Sequence, residues 1–183
     1  MNTLKTELQT HLETLTYDKN YQDIECLGFK GYDPSEPSWL KIIGELGVQF
    51  AGKTVCDLGC FHGYYSIKAK EAGAISVIGL DRAEEILTTA RMISKAADIH
   101  VEYSLWESQE VPPPCDIALL LNMLHHCPDP EATLRNLKCE EAVFEINQDQ
   151  LPLVETYFEV MEMTEGRTYP HRESRLLVHC LSR

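Results

Sequence analysis

The sequence predicts one α/β domain of 183 residues: a doubly wound, mostly parallel sheet with helices on both faces and an antiparallel hairpin at its C-terminal end. Short apolar runs alternate with helical patterns from Thr54 onward. The run "DIALLL" is almost unbroken in its apolar residues, which is typical of a strand covered on both faces. The hairpin is predicted because "TEGRTYPHRES", between the last two runs, is shorter than a helical crossover of about a dozen residues.

The region of residues 1–50 precedes this alternation and carries two helical patterns. The stretch "LKTELQTHLETL" places Leu4, Leu8, Leu12 and Leu15 at helical spacing. The stretch "GYDPSEPSWLKIIGELG" places four apolar residues on one helix face, namely Trp39, Ile42, Ile43 and Leu46. We expect these helices to form a lid over, or a wall beside, the site that the sheet carries.

The strands and helices then follow in alternating order. The predicted strands are "TVCDLG", "ISVIGLD", "IHVEYS", "DIALLL", "EAVFEI", "FEVMEM" and "RLLVHCLS". The predicted helices are "GYYSIKAKEAG", "AEEILTTARMISKAA", "DPEATLRNL" and "DQLPLVETY". In the third helix, Asp129 is the predicted N-cap and Pro130 the first helical residue. This order predicts βαβ units.

The net charge of −13 bears on the partners of the protein. An acidic protein repels phosphate backbones and anionic membranes, so nucleic acid is disfavoured as a partner. The first residues, "MNTLKTELQT", lack the apolar centre of a signal peptide, and no apolar run approaches the roughly 20 residues that span a bilayer. We therefore expect a cytoplasmic protein without membrane contact.

The seven cysteines predict reduced thiols, because their number is odd, they are scattered and no C-x-x-C pair occurs. Cys56, Cys60 and His62 lie close together in sequence, but their spacing matches no familiar zinc pattern. We therefore expect a site without a metal.

The stretch "VCDLGCFHGYYS" joins the first strand to a helix with the spacing D-x-G-x-x-x-G. Gly59 and Gly63 let the backbone approach a ligand, and the following helix offers its positive N-terminus to a carboxylate. This spacing differs from the G-x-G-x-x-G of dinucleotide sites and fits an amino-acid-like group better than a pyrophosphate. Asp57 either contacts the ligand or stabilises the turn.

Later strand ends supply further candidates at the same edge of the sheet, where open α/β folds bind ligands. The second strand ends at Asp81, followed by Arg82, and a carboxylate there can accept hydrogen bonds from both hydroxyls of a ribose. After the third strand, Glu107 is placed to accept the amine of an adenine, and Trp106 to pack beside the ring. After the fourth strand, Asn122 can reach back to the ligand.

Taken in order, these motifs resemble those of the S-adenosylmethionine-dependent methyltransferases of Rossmann-like fold (class I). "VCDLGCFHG" looks like their glycine-rich motif, "VIGLD" like their ribose-binding strand, "YSLWE" like their adenine motif and "DIALLLNMLHHCPDP" like their fourth-strand motif. The resemblance covers about Thr54 to Leu137 and implies S-adenosylmethionine as the cofactor. It implies cofactor-binding roles for Asp57, Gly59, Cys60, Gly63, Asp81, Arg82, Trp106, Glu107 and Asn122.

The sequence departs from the pattern of this family at two places. Cys60, Phe61 and His62 fill the turn where the family usually has a small residue, which allows Phe61 and His62 to cover the methionine part of the cofactor. Glu107 stands where the family commonly has aspartate, so its assignment is weaker than that of Asp81.

The implied reaction needs positioning and desolvation more than acid or base chemistry. A hydroxyl or protonated amine acceptor must nevertheless lose a proton, and a neutral histidine is the natural base. His125 is the first candidate for this base; Tyr64, His126 and His171 follow. We expect a small-molecule acceptor, walled by residues 1–50 and by "GRTYPHRES", where four side chains gather positive charge: Arg167, His171, Arg172 and Arg175.

Three other interpretations remain open. The first-strand motif and "GYYSIKAKEAGA" also resemble the transferases that modify the wobble uridine of tRNA, which the net charge disfavours. A non-catalytic protein that keeps the fold and the nucleoside site is a second class. A dehydrogenase is disfavoured by the glycine spacing. The sequence predicts neither the acceptor atom nor the oligomeric state.

Overall fold

A computed structural model describes residues 2–33, 35–168 and 174–183. Within them, one sheet has the strand order β3-β2-β1-β4-β5-β7-β6. The strands are β1 (Thr54–Leu58), β2 (Ser76–Asp81), β3 (Glu102–Leu105), β4 (Cys115–Leu121), β5 (Cys139–Ile146), β6 (Phe158–Glu165) and β7 (Leu176–Ser182). Strands β1 to β5 are parallel, and β7 runs antiparallel to both β5 and β6. The predicted fold class and the antiparallel hairpin are thereby confirmed.

The helices lie at the predicted places. They are α1 (Asn2–Thr14), α2 (Glu36–Gly44), α3 (Tyr64–Glu71), α4 (Glu84–Ala97), α5 (Pro130–Asn136) and α6 (Leu151–Tyr157). The predicted N-cap of α5 is present, since the Asp129 carboxylate accepts a hydrogen bond of 2.9 Å from the Ala132 N–H. No helix in the described part of the chain is long and apolar enough to cross a membrane.

Two apolar patterns of the N-terminal region extend further in the prediction than in the structure. Leu15 lies outside α1, which ends at Thr14. Ile43 is 38 % exposed, whereas Trp39 and Ile42 are buried in the core. Successive residues of a helix point about 100° apart, so the buried face of α2 that contains Ile42 turns Ile43 toward solvent.

Alternate residues along the strands feed two apolar cores, one on each face of the sheet. Val55 of β1 packs in the core that includes Leu87 of α4, while its neighbour Cys56 packs in the core that includes Leu134 of α5 and Val154 of α6. Helix α1 lies against α4, so the N-terminal region covers one face. The carboxyl ends of β1 and β4 are left open, and here the strand order reverses, which is the usual place for a ligand.

Candidate ligand-binding site

A cavity of about 360 Å³ opens at the carboxyl ends of β1, β2 and β4. Its volume falls within the range of small-ligand pockets. The predicted cofactor-binding residues that line it are Gly59, Asp81, Arg82, Trp106, Glu107 and Asn122. Four separate loops contribute these residues, so the sheet brings together groups that lie far apart in the chain.

The glycine-rich turn forms one wall of this cavity with its backbone. Gly59 has a φ of +74°, and a Cβ atom there would lie 2.9 Å from the Cβ of Met123. A side chain at this position would therefore push the turn away from the loop after β4. The Gly59 N–H donates to the Leu80 carbonyl at 2.8 Å, which ties the turn to the end of β2.

Asp81 presents a carboxylate that the backbone orients. Its Oδ2 accepts from the Phe61 N–H at 3.2 Å, and its Oδ1 accepts from the Ala83 N–H at 3.2 Å. Each carboxylate oxygen can accept a further hydrogen bond. The half-buried group can therefore bind a ligand with two adjacent hydroxyls, as the sequence predicts for a ribose.

Trp106 and Glu107 follow β3 and differ in burial. Trp106 is buried, and its indole N–H donates to the Glu110 carbonyl at 3.1 Å. Glu107 is exposed, and its backbone N–H donates to the Glu110 carboxylate at 3.1 Å. The Trp106 ring is thus a rigid part of the wall, whereas Glu107 is an exposed part of the cavity lining.

Asn122 follows β4 in the left-handed conformation, with a φ of +61°. Its side-chain amide donates to the Tyr21 hydroxyl at 2.5 Å, and its backbone N–H donates to the Glu145 carbonyl at 3.0 Å. Its Oδ1 is buried and has no hydrogen-bond partner within the described residues. A buried acceptor without a donor is costly, which marks this loop as a place where a ligand can supply one.

Three of the predicted cofactor-binding residues do not line the cavity. Asp57 is buried and accepts a hydrogen bond of 2.6 Å from the Ser66 hydroxyl, and burial raises the pKa of its carboxyl to about 7. The Cys60 thiol is buried. A Cβ atom on Gly63 would lie 2.3 Å from the Tyr103 hydroxyl oxygen. These residues pack the turn and the start of α3 against the sheet, and for Asp57 the turn-stabilising alternative is the one with a visible contact.

The histidine pair after β4 divides between two environments. The predicted base, His125, does not line the cavity, and its Nε2 lies 3.5 Å from the Arg175 guanidinium. His126 lines the cavity, and partial burial, then Arg175 and Arg82, lower the pKa of its imidazole. Tyr64 points away, since its hydroxyl donates to Glu25 at 3.3 Å. The third alternative, His171, lies outside the described residues.

Of the expected cluster of positive charge, the structure describes Arg167 and Arg175. Arg167 lines the cavity, but its side chain is only 7 % exposed and pairs with Asp33 at 2.7 Å and Glu145 at 3.1 Å. Arg175 is buried and donates to Asn147 at 2.9 Å. The other two members, His171 and Arg172, lie outside the described residues. Buried carboxylates thus balance the charge of Arg167, which sequence spacing alone does not reveal.

The N-terminal region contributes residues that the sequence analysis missed. Tyr21 and Gln22 line the cavity, and the Tyr21 hydroxyl accepts from Arg167 at 3.1 Å as well as from Asn122. Both residues lie in a part of the sequence without helical or strand periodicity, so no pattern pointed to them. Residues 1–50 therefore place these two side chains at the cavity.

Comparison with known protein families gives a match over residues 34–140, more than half of the chain, to a model described as a methyltransferase domain. Among curated relatives, the ubiquinone biosynthesis O-methyltransferase of Pseudomonas paraeruginosa is 37 % identical over 89 residues, which cover 46 % of this chain and 38 % of the relative. That of Bordetella avium is 34 % identical over 111 residues, which cover 58 % of this chain and 46 % of the relative. The chain thus spans less than half the length of these relatives.

Solved structures show the same fold. The magnesium protoporphyrin IX methyltransferase of Synechocystis, solved with bound S-adenosylmethionine, has a TM-score of 0.65 at 20 % identity, covering 81 % of this chain and 77 % of the other. An S-adenosylmethionine dependent methyltransferase of Mesorhizobium loti has a TM-score of 0.61 at 19 % identity, covering 80 % and 97 %. At such low identity these similarities establish the fold alone.

Proposed function

Because the chain belongs to the methyltransferase-domain family, we propose that it transfers a methyl group from S-adenosylmethionine to a small-molecule acceptor. One observation carries the proposal: Gly59, Asp81 and Asn122 line a single cavity beside Trp106 and Glu107. This combination offers a backbone approach, an oriented carboxylate, an unsatisfied amide oxygen and an aromatic wall. A nucleoside bearing an amino acid needs all of these contacts.

The cavity residues fit the parts of this cofactor. The Asp81 carboxylate, held by two backbone N–H groups, would accept both ribose hydroxyls. Trp106 and Glu107 would hold the adenine, and the Gly59 turn and Asn122 the methionine part. When bound, S-adenosylmethionine supplies an electrophilic methyl group on a positively charged sulfur. The remaining residues must exclude water and align the acceptor with that methyl group.

The acceptor would enter beside the N-terminal region. Tyr21 and Gln22 line the cavity together with Arg167, so residues 1–50 would form an acceptor wall within a single domain. A small acceptor is supported by the net charge of −13, which disfavours nucleic acid, and by the cavity volume of about 360 Å³. The names of the curated relatives support an oxygen atom as the methyl acceptor.

The proton of a hydroxyl acceptor would pass to His126. This imidazole lines the cavity, and its lowered pKa keeps it neutral near pH 7, as a base must be. The sequence favours His125, but its Nε2 faces Arg175 and the residue does not line the cavity. The base is therefore assigned to the second histidine of the pair.

Calorimetry with S-adenosylmethionine and with its demethylated product tests the cofactor. We expect both to bind the folded wild-type protein, since the cavity supplies ribose, adenine and amino-acid contacts together. Adenosine, which lacks the amino-acid part, should bind more weakly than the demethylated product. If neither cofactor form binds at millimolar concentration, the proposed function is wrong.

Incubation with methyl-labelled S-adenosylmethionine and separate cell fractions tests the acceptor. We expect the label in the small-metabolite fraction. Label in tRNA would support the wobble-uridine alternative, and binding without any labelled fraction would support a non-catalytic role.

A cytoplasmic location, which all seven cysteines as free thiols support, remains a prediction.

A further inference from the structure

A chain of hydrogen bonds links the N-terminal region to the glycine-rich turn. The His62 Nε2 lies 2.9 Å from the Tyr17 hydroxyl, which donates to the Thr89 hydroxyl oxygen at 2.8 Å. The Thr89 hydroxyl donates to the Glu85 carbonyl at 3.2 Å and also lies 2.9 Å from the His11 Nε2. The chain thus connects α1, the loop after it, α4 and the turn between β1 and α3.

The donor and acceptor roles along this hydrogen-bond chain follow from the number of protons on each group. The single proton of Tyr17 goes to Thr89, so toward His62 the phenol oxygen can only accept. His62 must then donate from Nε2, which leaves Nδ1 without a proton. The Nδ1 is buried without a hydrogen-bond partner within the described residues, as suits a bare nitrogen better than an N–H. Burial lowers the pKa of His62 to about 3, so the ring is neutral.

The two rings at the end of the chain hold Phe61. His62 stacks on the Phe61 ring with centroids 4.1 Å apart, and Tyr17 packs edge-on against both rings, at 6.0 Å from Phe61 and 5.7 Å from His62. Phe61 has a φ of +51°, a left-handed conformation that is unfavourable for a residue with a bulky side chain. Such a conformation persists only where the surroundings enforce it.

Phe61, which has this unfavourable backbone conformation, in turn orients the Asp81 carboxylate. The Phe61 N–H donates to Asp81 Oδ2 at 3.2 Å, so the position of this left-handed backbone sets the position of one donor to the carboxylate. If Phe61 relaxes, Asp81 loses one of the two backbone N–H groups that orient it. The series of contacts that begins in the N-terminal region therefore ends at Asp81, the group that faces the ribose in the proposed function.

We propose that Tyr17 and His62 are positioning residues for the nucleoside end of the ligand: their hydrogen bond holds the Phe61 backbone, which orients the Asp81 carboxylate. The inference rests on the proposed function for the identity of the ligand. It gives the N-terminal region a role in binding the adenosyl group in addition to its role as an acceptor wall. Nothing in the sequence motifs indicates this role, because Tyr17 lies outside all of them.

Two measurements on the ligand-free protein test the hydrogen-bond chain itself. Long-range ¹H–¹⁵N NMR of the wild-type histidine rings should show His62 protonated at Nε2 alone. Amide hydrogen exchange at Phe61 should be about fivefold faster in Tyr17→Phe, as expected for the loss of one buried hydrogen bond. Tyr157→Phe is the matched control, since Tyr157 donates one hydrogen bond to Glu131 at a remote surface. A ring protonated at Nδ1, or unchanged exchange at Phe61, would overturn the proposal.

Calorimetry with S-adenosylhomocysteine, the demethylated product, tests the consequence for binding. We expect an affinity about fivefold weaker in Tyr17→Phe and unchanged in Tyr157→Phe. His62→Gln, whose amide N–H can replace the donor at Nε2, should bind better than His62→Leu. Equal affinities in wild type and Tyr17→Phe would overturn this inference but leave the proposed function intact. Absence of binding by the wild type would overturn both.

Discussion

Two acidic residues near the carboxyl ends of different strands, Asp81 and Glu145, have opposite surroundings. Asp81 ends β2 and lines the cavity, with one backbone N–H on each carboxylate oxygen. Glu145 lies near the end of β5 with a fully buried side chain, and Arg167 pairs with it at 3.1 Å. We refer to the cavity around Gly59, Asp81 and Asn122 as the open edge, and to the cluster of Asp33, Glu145 and Arg167 as the closed edge.

The difference between the two edges shows that a carboxylate at a strand end does not by itself indicate a ligand site. At the closed edge, burial raises the pKa of Glu145, and the charge of Arg167 opposes this shift. The buried charges there are thus used to balance one another. At the open edge, the partners of Asp81 are uncharged backbone groups, and the carboxylate keeps its capacity for a ligand. The presence or absence of a buried cation separates a structural acid from a binding acid.

The largest expected effect is on stability at the closed edge. Arg167→Met leaves Asp33 and Glu145 buried without a cation, so we expect the free energy of unfolding to fall by about 3–5 kcal/mol. Arg82→Met, at an exposed residue of the open edge, should change it by less than about 0.5 kcal/mol. Urea denaturation of both variants measures the contrast, and similar losses would mean that the closed edge is not held by its charges.

The two histidines after β4 should differ in their effect on the rate of methyl transfer. We expect His126→Gln to lower the rate of methyl transfer about a hundredfold, within the usual range for loss of a general base, and His125→Gln to lower it far less. Because the pKa of His126 is lowered, the wild-type rate should rise with pH only below about pH 6.5 and then stay level. Initial rates of label transfer to the acceptor fraction measure both. The reverse order of the two variants would return the base to His125.

Ligand affinity should distinguish the two acids that the sequence assigned to the nucleoside. Asp81→Ala should weaken binding of the demethylated product at least tenfold, since it removes two charge-assisted hydrogen bonds of roughly 1.5–3 kcal/mol each. Glu107→Ala should weaken it less, because this exposed side chain would accept a single amine hydrogen. Calorimetric titration gives the affinities and circular dichroism checks folding. Wild-type affinity in folded Asp81→Ala would mean that the ribose lies elsewhere.

The smallest expected effect is a pH dependence at Asp57, behind the open edge. Its pKa is raised from an ordinary 3.8 to about 7 in the folded chain, so the folded state holds the proton more tightly than the unfolded state. Its contribution to stability is therefore present below about pH 4 and is lost as the pH rises through 7. Between pH 5 and pH 8 this should cost the wild type on the order of 1 kcal/mol or more.

Asp57→Asn removes this titration and keeps an acceptor for the Ser66 hydroxyl. Urea denaturation at pH 5 and pH 8 should show a smaller loss of stability at pH 8 in this variant than in wild type. Asp98→Asn, at an exposed helix end, is the matched control and should follow the wild type. An identical pH dependence in Asp57→Asn and wild type would show that the buried carboxyl does not titrate in this range.

Much of the open edge follows from local patterns. The run from Val55 to Leu58 and the glycines after it predict a strand followed by a tight turn, and Asp81 ends the next apolar run. Parallel strands bring their carboxyl ends to one edge, so the co-location of Gly59, Asp81 and Asn122 is predictable once the βαβ order is recognised. The pattern does not distinguish Gly59, at the cavity, from Gly63, which packs against Tyr103.

The sequence by itself determined the order of strands and helices, the antiparallel hairpin and the residues at the strand ends, because apolar periodicity and turn chemistry act within a few residues of the chain. Only the tertiary structure decided that Arg167 pairs with Asp33 across 134 positions of the chain, and that His126 lines the cavity in place of His125. Burial and the choice of partner depend on contacts between distant segments. Two side chains with the same local pattern can therefore end in different environments.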